Sequence, residues 1–192
     1  MKPFRQDPTD LPASQDELVR RAVAGDPEAF GDLYDRMVDR IYRFVYFRTQ
    51  DPADAEDLTS KVFLKAWDAL PRYRRSRAPF SAWLYRIARH VVIDHHRATR
   101  ATADLDAQAN NLQDPGQAPE PEAERGLEAQ ALHRALQTLT GEQREVLILK
   151  FVDELPTSQI ASILGKRPGA IRALQMRGLD ALAEALGETR GR

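Results

Sequence analysis

Between Pro71 and Arg100 the chain carries eight arginines (Arg72, Arg74, Arg75, Arg77, Arg86, Arg89, Arg97 and Arg100) against a single acid, Asp94. Tyr73, Phe80, Trp83 and Tyr85 are interleaved with them. Guanidinium groups track a phosphate backbone and aromatic faces stack on unpaired bases, so this mixture suits single-stranded or melted nucleic acid. A second basic cluster lies near the C-terminus, where Arg167, Arg172 and Arg177 alternate with Ala170, Ala173 and Met176. Small residues let a helix approach a major groove closely, while arginines reach guanine edges or phosphates.

Other chemistries are poorly served. His95 and His96 are adjacent, so on a helix their rings diverge and cannot act as an i, i+4 metal pair. The chain has no cysteine, which excludes disulfide frameworks and thiolate metal sites. No glycine-rich phosphate loop or nucleophile elbow occurs. The carboxylates stand at helix starts or in an acidic stretch, where capping and solubility account for them. A non-enzymatic chain that needs neither metal nor cofactor is the expectation.

These side chains need helices to hold them. Asp26-Pro27 and Asp51-Pro52 each place an N-cap before a proline at the first helical position. Phe30, Leu33, Tyr34, Met37, Ile41, Phe44 and Val45 follow the first start at helical spacing. Ala55, Leu58, Val62, Ala66 and Ala69 form the stripe of the second, widened by Phe63, Trp67 and Leu70. Pro71 ends it. Phe80, Trp83, Leu84, Ile87 and Val91 begin a third helix expected to run to about Arg100, with Trp83 and Leu84 assigned to its core side. On that helix Arg86, His90 and Arg97 share one side, at intervals of four and seven. Arg74, Arg75, Arg77, Arg86 and Arg97 are the nucleic-acid contacts these residues favour.

From Ala101 to Arg125 the character changes, with six acids against one arginine, and Pro115, Gly116, Pro119 and Pro121. Such a stretch buries little apolar surface and reads as a flexible linker, either a plain tether or an acidic functional segment. The net charge of −1 is therefore a sum of opposed blocks. Beyond the linker, Leu132, Ala135, Leu136 and Leu139 make a stripe, and Thr140-Gly-Glu-Gln143 is a capping-box pattern opening a helix with Val146, Leu147 and Phe151. Ile160 to Leu164 ends at Gly165, a left-handed C-cap, and Pro168 opens a last helix with Ile171, Leu174, Leu182 and Leu186 inward. Two helices joined by Leu164-Gly-Lys-Arg-Pro168 have helix–turn–helix spacing, although an ordinary helical hairpin with a solvated basic face fits the same residues. No run of about 18 apolar residues occurs and the N-terminus lacks the apolar core of a secretory signal, so a cytoplasmic protein without membrane insertion is expected.

Five segments extend this reading by resemblance. Ala55-Glu-Asp-Leu-Thr-Ser-Lys-Val-Phe-Leu-Lys-Ala-Trp67 is similar to the segment with which extracytoplasmic-function sigma factors, of the sigma-70 family, grip the clamp of bacterial RNA polymerase. Phe80-Ser-Ala-Trp-Leu-Tyr-Arg-Ile-Ala-Arg89 and Val92-Ile-Asp-His-His-Arg97 resemble their promoter-melting, −10-reading element. Leu139-Thr-Gly-Glu-Gln-Arg-Glu-Val-Leu-Ile-Leu149 and Ile160-Ala-Ser-Ile-Leu-Gly165 look like their second DNA-binding domain. The resemblance covers roughly Glu17–Arg100 and Leu127–Leu186, in the family's order.

It implies an all-α fold of two small helical domains joined by a flexible acidic linker, the second a helix–turn–helix (winged-helix-like) DNA-binding domain. The expected organisation is a flexible N-terminus (1–14), a polymerase-binding and −10-recognition domain (15–100), the linker (101–125) and a −35-recognition domain (126–188). Asp57, Leu58, Lys61, Val62, Lys65 and Trp67 would then meet the polymerase core. Tyr73, Arg74, Arg75, Arg77, Phe80, Arg86, His90, Asp94 and Arg97 would meet −10 DNA. Arg167, Ala170, Arg172, Ala173, Met176 and Arg177 would meet −35 DNA. The implied partners are the beta-prime clamp and beta flap of the core enzyme, promoter DNA and an anti-sigma protein. Promoter elements some seventeen base pairs apart lie ~58 Å apart, within the ~80 Å that about 24 extended residues can reach. A stand-alone helix–turn–helix regulator, or an inhibitor of polymerase, would be the other classes; a duplex-binding repressor would not need the aromatic and basic loop. The family often has serine before each helix of the helix–turn–helix, where this chain has Pro156 and Arg167. Gly178 also sits mid-helix, at a cost of ~1 kcal/mol relative to alanine.

Overall fold

The computed structural model describes residues 13–74, 78–109 and 134–190, and every regular element among them is helical. The helices are α1 (Gln15–Val23), α2 (Pro27–Thr49), α3 (Pro52–Ala69), α4 (Phe80–Ala109), α5 (Gly141–Leu147), α6 (Thr157–Leu164) and α7 (Pro168–Arg190). Arg75, Arg77, most of the linker and Leu132 lie outside the described residues.

Local chemistry accounts for most boundaries. The Asp26 carboxylate accepts from the backbone N–H groups of Glu28 and Ala29 at the start of α2. The Arg21 side chain donates to the same carboxylate at 2.7 Å, and chiefly for that reason its carboxyl is held below the usual range. Asp51 caps α3 through the N–H of Asp54. Between these helices Gln50 takes a left-handed φ of 63° and donates its N–H to the Tyr46 carbonyl, so the chain reverses within two residues. The Thr140–Gln143 capping box is formed in both directions. Pro156 supplies no side-chain cap to α6, and Gly165 closes that helix at φ 64° as expected of a left-handed C-cap.

Three features depart from the sequence reading. Helix α1 precedes the first expected start; Ser14 accepts from the N–H of Glu17 and begins it, a Ser-x-x-Glu pattern legible in the chain. Helix α4 continues to Ala109, because Ala101, Thr102, Ala103, Leu105 and Ala107 bring no helix breaker. After α5 the backbone widens into a π turn at Ile148–Val152, from which Asp153 donates its N–H to the Ile148 carbonyl.

In the first domain α2, α3 and α4 pack with Leu33, Ile41, Phe44, Ala55, Val62 and Leu84 fully buried, and α1 covers one end with Leu18. Each such large side chain contributes roughly 1.5–3 kcal/mol of burial. In the second, Val146, Leu149, Ile160 and Ile171 unite α5, α6 and α7. Gly178 has a packing reason. A Cβ there would lie 3.3 Å from Leu147 Cδ1 and Cγ, so a side chain at that point would press on Leu147 where α7 approaches α5. The two domains do not stand apart: α6 lies on α4, the π turn lies on α2, and one buried core runs through both.

Candidate polymerase and nucleic-acid interfaces

Helix α3 divides the expected polymerase contacts between its two sides. Leu58 and Val62 are buried and belong to the core, whereas Asp57, Lys61 and Lys65 are exposed, with Lys61 and Asp57 ion-paired across one turn. Trp67 is partly open to solvent and packs edge-to-face with Phe30 at a centroid distance of 4.9 Å. Leu64, absent from the expected set, is 65% exposed between Lys61 and Lys65. It falls outside the Ala55–Leu58–Val62–Ala66 stripe, and that signal marks it in the sequence. The outer face of α3 thus carries two apolar side chains among charges of both signs, Lys61 and Lys65 with Asp57 and Asp68.

Around the start of α4 the aromatics build the loop from within. Tyr73 and Phe80 are both buried, and their rings cluster with the half-buried Trp83. Tyr73 donates its hydroxyl proton to the Ala78 carbonyl at 2.8 Å, which ties the two ends of the arginine loop together. In this conformation neither Tyr73 nor Phe80 offers a face to a base. Arg74 is exposed and donates to the carbonyls of Pro71 and Tyr73. His90, Asp94 and Arg97 are exposed along α4. Arg86 is half-buried, and its position is unlike theirs. It donates through Nε to the Ser162 carbonyl at 3.0 Å and through Nη2 to the Ser162 hydroxyl at 2.9 Å, both on α6.

The second domain presents its residues differently. Arg167, Ala170, Arg172, Ala173 and Met176 are all exposed along the first turns of α7, and the side chains of Ile171 and Leu174 are buried against α5 and α6 behind them. Arg177 is exposed too, but it also lines the cleft between the domains with Arg48, Arg89 and Glu142.

Two buried carboxylates that the sequence reading passed over sit where the domains meet. Glu145 is ion-paired with Arg48 at 2.8 Å and Arg89 at 3.0 Å, so one carboxylate on α5 holds arginines from α2 and α4. Burial holds the Arg48 guanidinium below its usual pKa, against the opposing pull of the Glu145 carboxylate and with a smaller push from the Arg89 charge. Asp153 faces the Tyr85 hydroxyl without a well-formed hydrogen bond, and burial raises its carboxyl to about 6. Arg40 donates to the Asp153 carbonyl, Gln159 to the Ser81 hydroxyl at 2.6 Å, and Gln137 to the Gln50 side-chain carbonyl at 2.8 Å.

Comparison with known proteins follows this division. Residues 33–102, from α2 into α4, match Sigma-70 region 2, and residues 129–182, which contain α5 and α6, match Sigma-70 region 4. SigD of Mycobacterium tuberculosis, an ECF RNA polymerase sigma factor, is 34% identical over 178 residues, covering 89% of this chain and 83% of SigD. The chain belongs to the extracytoplasmic-function group of sigma-70 factors. BldN of Streptomyces coelicolor, another ECF sigma factor, is 37% identical over 174 residues; the match covers 88% of this chain and 65% of BldN. The fold resembles the sigma factor RpoE of Bartonella quintana, solved with the anti-sigma factor NepR, with a TM-score of 0.68 at 24% identity over 82% of this chain and 96% of that one. Sigma factors direct RNA polymerase to promoters to initiate transcription, and both the all-α fold and the two-region organisation of this chain are those of the group. Helix α1 of this sigma factor lies before the region 2 match, and α7 extends beyond the region 4 match. Among the described residues no helix is long and apolar enough to cross a membrane.

Proposed function

We propose that the first domain of this sigma factor docks on the beta-prime clamp of the core enzyme through the outer face of α3 and reads a melted −10 element along the loop before α4 and along α4 itself. The second domain engages the beta flap and lays α7 in the −35 major groove. The acidic linker (101–125) threads towards the polymerase interior, where its carboxylates mimic nucleic acid. The chain acts in the cytoplasm, catalyses no reaction, and is held inactive by an anti-sigma protein; the RpoE–NepR pair supports that last reading by fold likeness.

The observation that carries the proposal is the face of α3. Leu64 and Trp67 are large apolar side chains left open to solvent beside Lys61 and Lys65, although the same helix buries Leu58, Val62 and Ala66. Exposed aromatic and aliphatic anchors with a charged rim suit a protein partner rather than a nucleic acid.

Transcription from a promoter library with purified core polymerase tests it. The chain should add a distinct set of start sites carrying shared −10 and −35 elements. Lys61→Glu with Lys65→Glu should weaken core binding while leaving the unfolding transition unchanged, since exposed charges alter stability little. Equal transcription with and without the chain would sink the proposal.

A further inference from the structure

We infer that the basic cleft lined by α2, α4 and the start of α5 is a binding site for a small phosphate-bearing anion, a diphosphate or a nucleotide carrying one. Arg97 is the one residue this site shares with the promoter contacts proposed above.

Three guanidinium groups from three elements line this cleft of ≈ 470 Å³: Arg48 from α2, Arg97 from α4 and Arg144 from α5. A cavity of that size suits a small molecule. Among the described residues the carboxylates nearby do not match this charge. Glu145 is ion-paired with Arg48 and with Arg89 beside it, and one carboxylate cannot neutralise those two as well as Arg97 and Arg144. Arg48 Nη1 approaches Glu145 at 2.8 Å but makes no well-aligned hydrogen bond. Arg144 donates to the Leu136 and Gln137 carbonyls, which orient its fork and cancel no charge. Burial, and after it the Arg48 charge, hold the Arg144 guanidinium below its usual pKa, so the two cations repel each other. Glu142, on the adjoining cleft, is taken by Lys166 at 2.8 Å. Partly buried cations in excess are costly, and an anion bound among them offsets that cost.

The chemistry of the donors selects the anion. A guanidinium fork pairs with phosphate oxygens two at a time, and its charge does not titrate away. Three forks held on different helices call for several charged oxygens in a compact space. A diphosphate supplies them; a chloride or a single carboxylate does not. Ile93 and Leu139 give the same cleft an apolar wall, so a nucleoside attached to the diphosphate has a surface to lie on. Occupancy covers Arg97. The ligand and a melted −10 strand should therefore compete, a consequence that rests on the −10 reading above, whereas the binding itself does not.

Gly141 offers a way to test the site on the full chain. It lines the cleft, its backbone is not left-handed, and a Cβ there meets nothing within 4 Å. Gly141→Asp therefore sets a carboxylate among the arginines without a clash at Cβ. Titration calorimetry with inorganic pyrophosphate, and separately with ADP, should show saturable binding that weakens as salt is added. Gly141→Asp and Arg144→Gln should each weaken it about ten-fold or more, as expected for loss of a charge-assisted hydrogen bond, while Gly141→Ala stays within about two-fold of the parent. Circular dichroism and thermal melts check that the variants remain folded. Tighter binding of ADP than of pyrophosphate would assign the apolar wall to a nucleoside; equal binding would make the bare diphosphate the ligand. Pyrophosphate should also weaken binding of a −10 single strand to the parent and not to Gly141→Asp. No saturable binding by the parent, or equal binding by Gly141→Asp and the parent, would overturn the inference. Pyrophosphate that binds without disturbing the oligonucleotide would keep the site and instead remove Arg97 from the −10 surface.

Discussion

The two surfaces of this sigma factor proposed to read DNA are built on opposite terms. At the start of α7 the expected contacts Arg167, Ala170, Arg172, Ala173 and Met176 are all open to solvent, and buried Ile171 and Leu174 hold the helix in place. Around α4 Tyr73, Phe80 and Tyr85 are buried, Trp83 is half-buried and Arg86 is bound by the other domain. Duplex DNA presents the same groove before and after binding, so a preformed helix suffices to read it. A melted strand exists only once the polymerase has engaged, and its binding surface can be kept covered until then. The contrast lies in how each surface is exposed, because both are rich in arginine.

Ile171→Ala should break the comparison from the side of α7 and have the largest effect. Ile171 is fully buried, and its truncation should cost about 2–5 kcal/mol, measured by denaturant unfolding. Binding to −35 duplex should fall, while binding of a −10 single strand should hold or rise as the second domain loosens. Parallel loss of both would mean that the two surfaces depend on one folding unit.

Within α7 the two exposed arginines should separate base reading from phosphate anchoring. Arg172 and Arg177 are five residues apart and project about 140° apart. Arg177→Ala should cost about 1–3 kcal/mol and relax preference at one base pair. Arg172→Ala should weaken all sequences alike and lower the salt slope by about one. Binding to single-base −35 variants at two salt concentrations resolves the two roles, and uniform loss from both variants would remove base reading from Arg177.

Gly178 sharpens the same picture at smaller scale. Alanine there gains ~1 kcal/mol of helix propensity but sets a Cβ 3.3 Å from Leu147, which is itself buried. The two effects oppose, so Gly178→Ala should stay within about 1 kcal/mol of the parent, whereas Gly178→Val should cost about 1–3 kcal/mol by overpacking. Thermal melts of the two variants give the comparison, and a stabilised valine variant would show that α5 and α7 are less closely packed than described.

The smallest expected effect is the pH dependence of the contact between the two domains. Burial raises the Asp153 carboxyl to about 6, against 3.8 in the open chain, with Tyr85 on α4 and Arg40 and Arg43 on α2 facing it. A carboxyl whose pKa rises on packing favours the packed state when protonated, and that contribution disappears as pH rises through 6. That contact should therefore strengthen by ~0.8 kcal/mol between pH 7.5 and pH 5.5. Energy transfer between dyes placed on the two domains should increase over that range in the parent and stay flat in Asp153→Asn. Transfer that decreases on acidification would assign the opposite sign to this contact.

The local rules carried the reading a long way where they were unopposed. Asp26-Pro27, Asp51-Pro52, the Thr140–Gln143 box and Gly165 start and stop helices where their chemistry places them. The exposed row on α7 was equally legible, since a helix start followed by arginines and small residues has one outward face. Leu58 and Val62 were harder to assign, because the resemblance groups them with Lys61 while the stripe places them inside. Tyr73 and Phe80 show the same ambiguity: an aromatic beside arginines suits both a base and a core, and packing against Trp83 decides between them.

From the sequence alone followed the helical class, the two blocks of opposed charge, the two basic surfaces and the family, because caps, periodicity and motif order act over a few residues at a time. The tertiary structure alone decided that Glu145 holds Arg48 and Arg89, that Asp153 is buried against Tyr85, and that Arg86 meets Ser162. These pairs join residues from different domains. No short-range pattern encodes them, since a carboxylate on an amphipathic helix looks the same whether it faces water or a buried guanidinium.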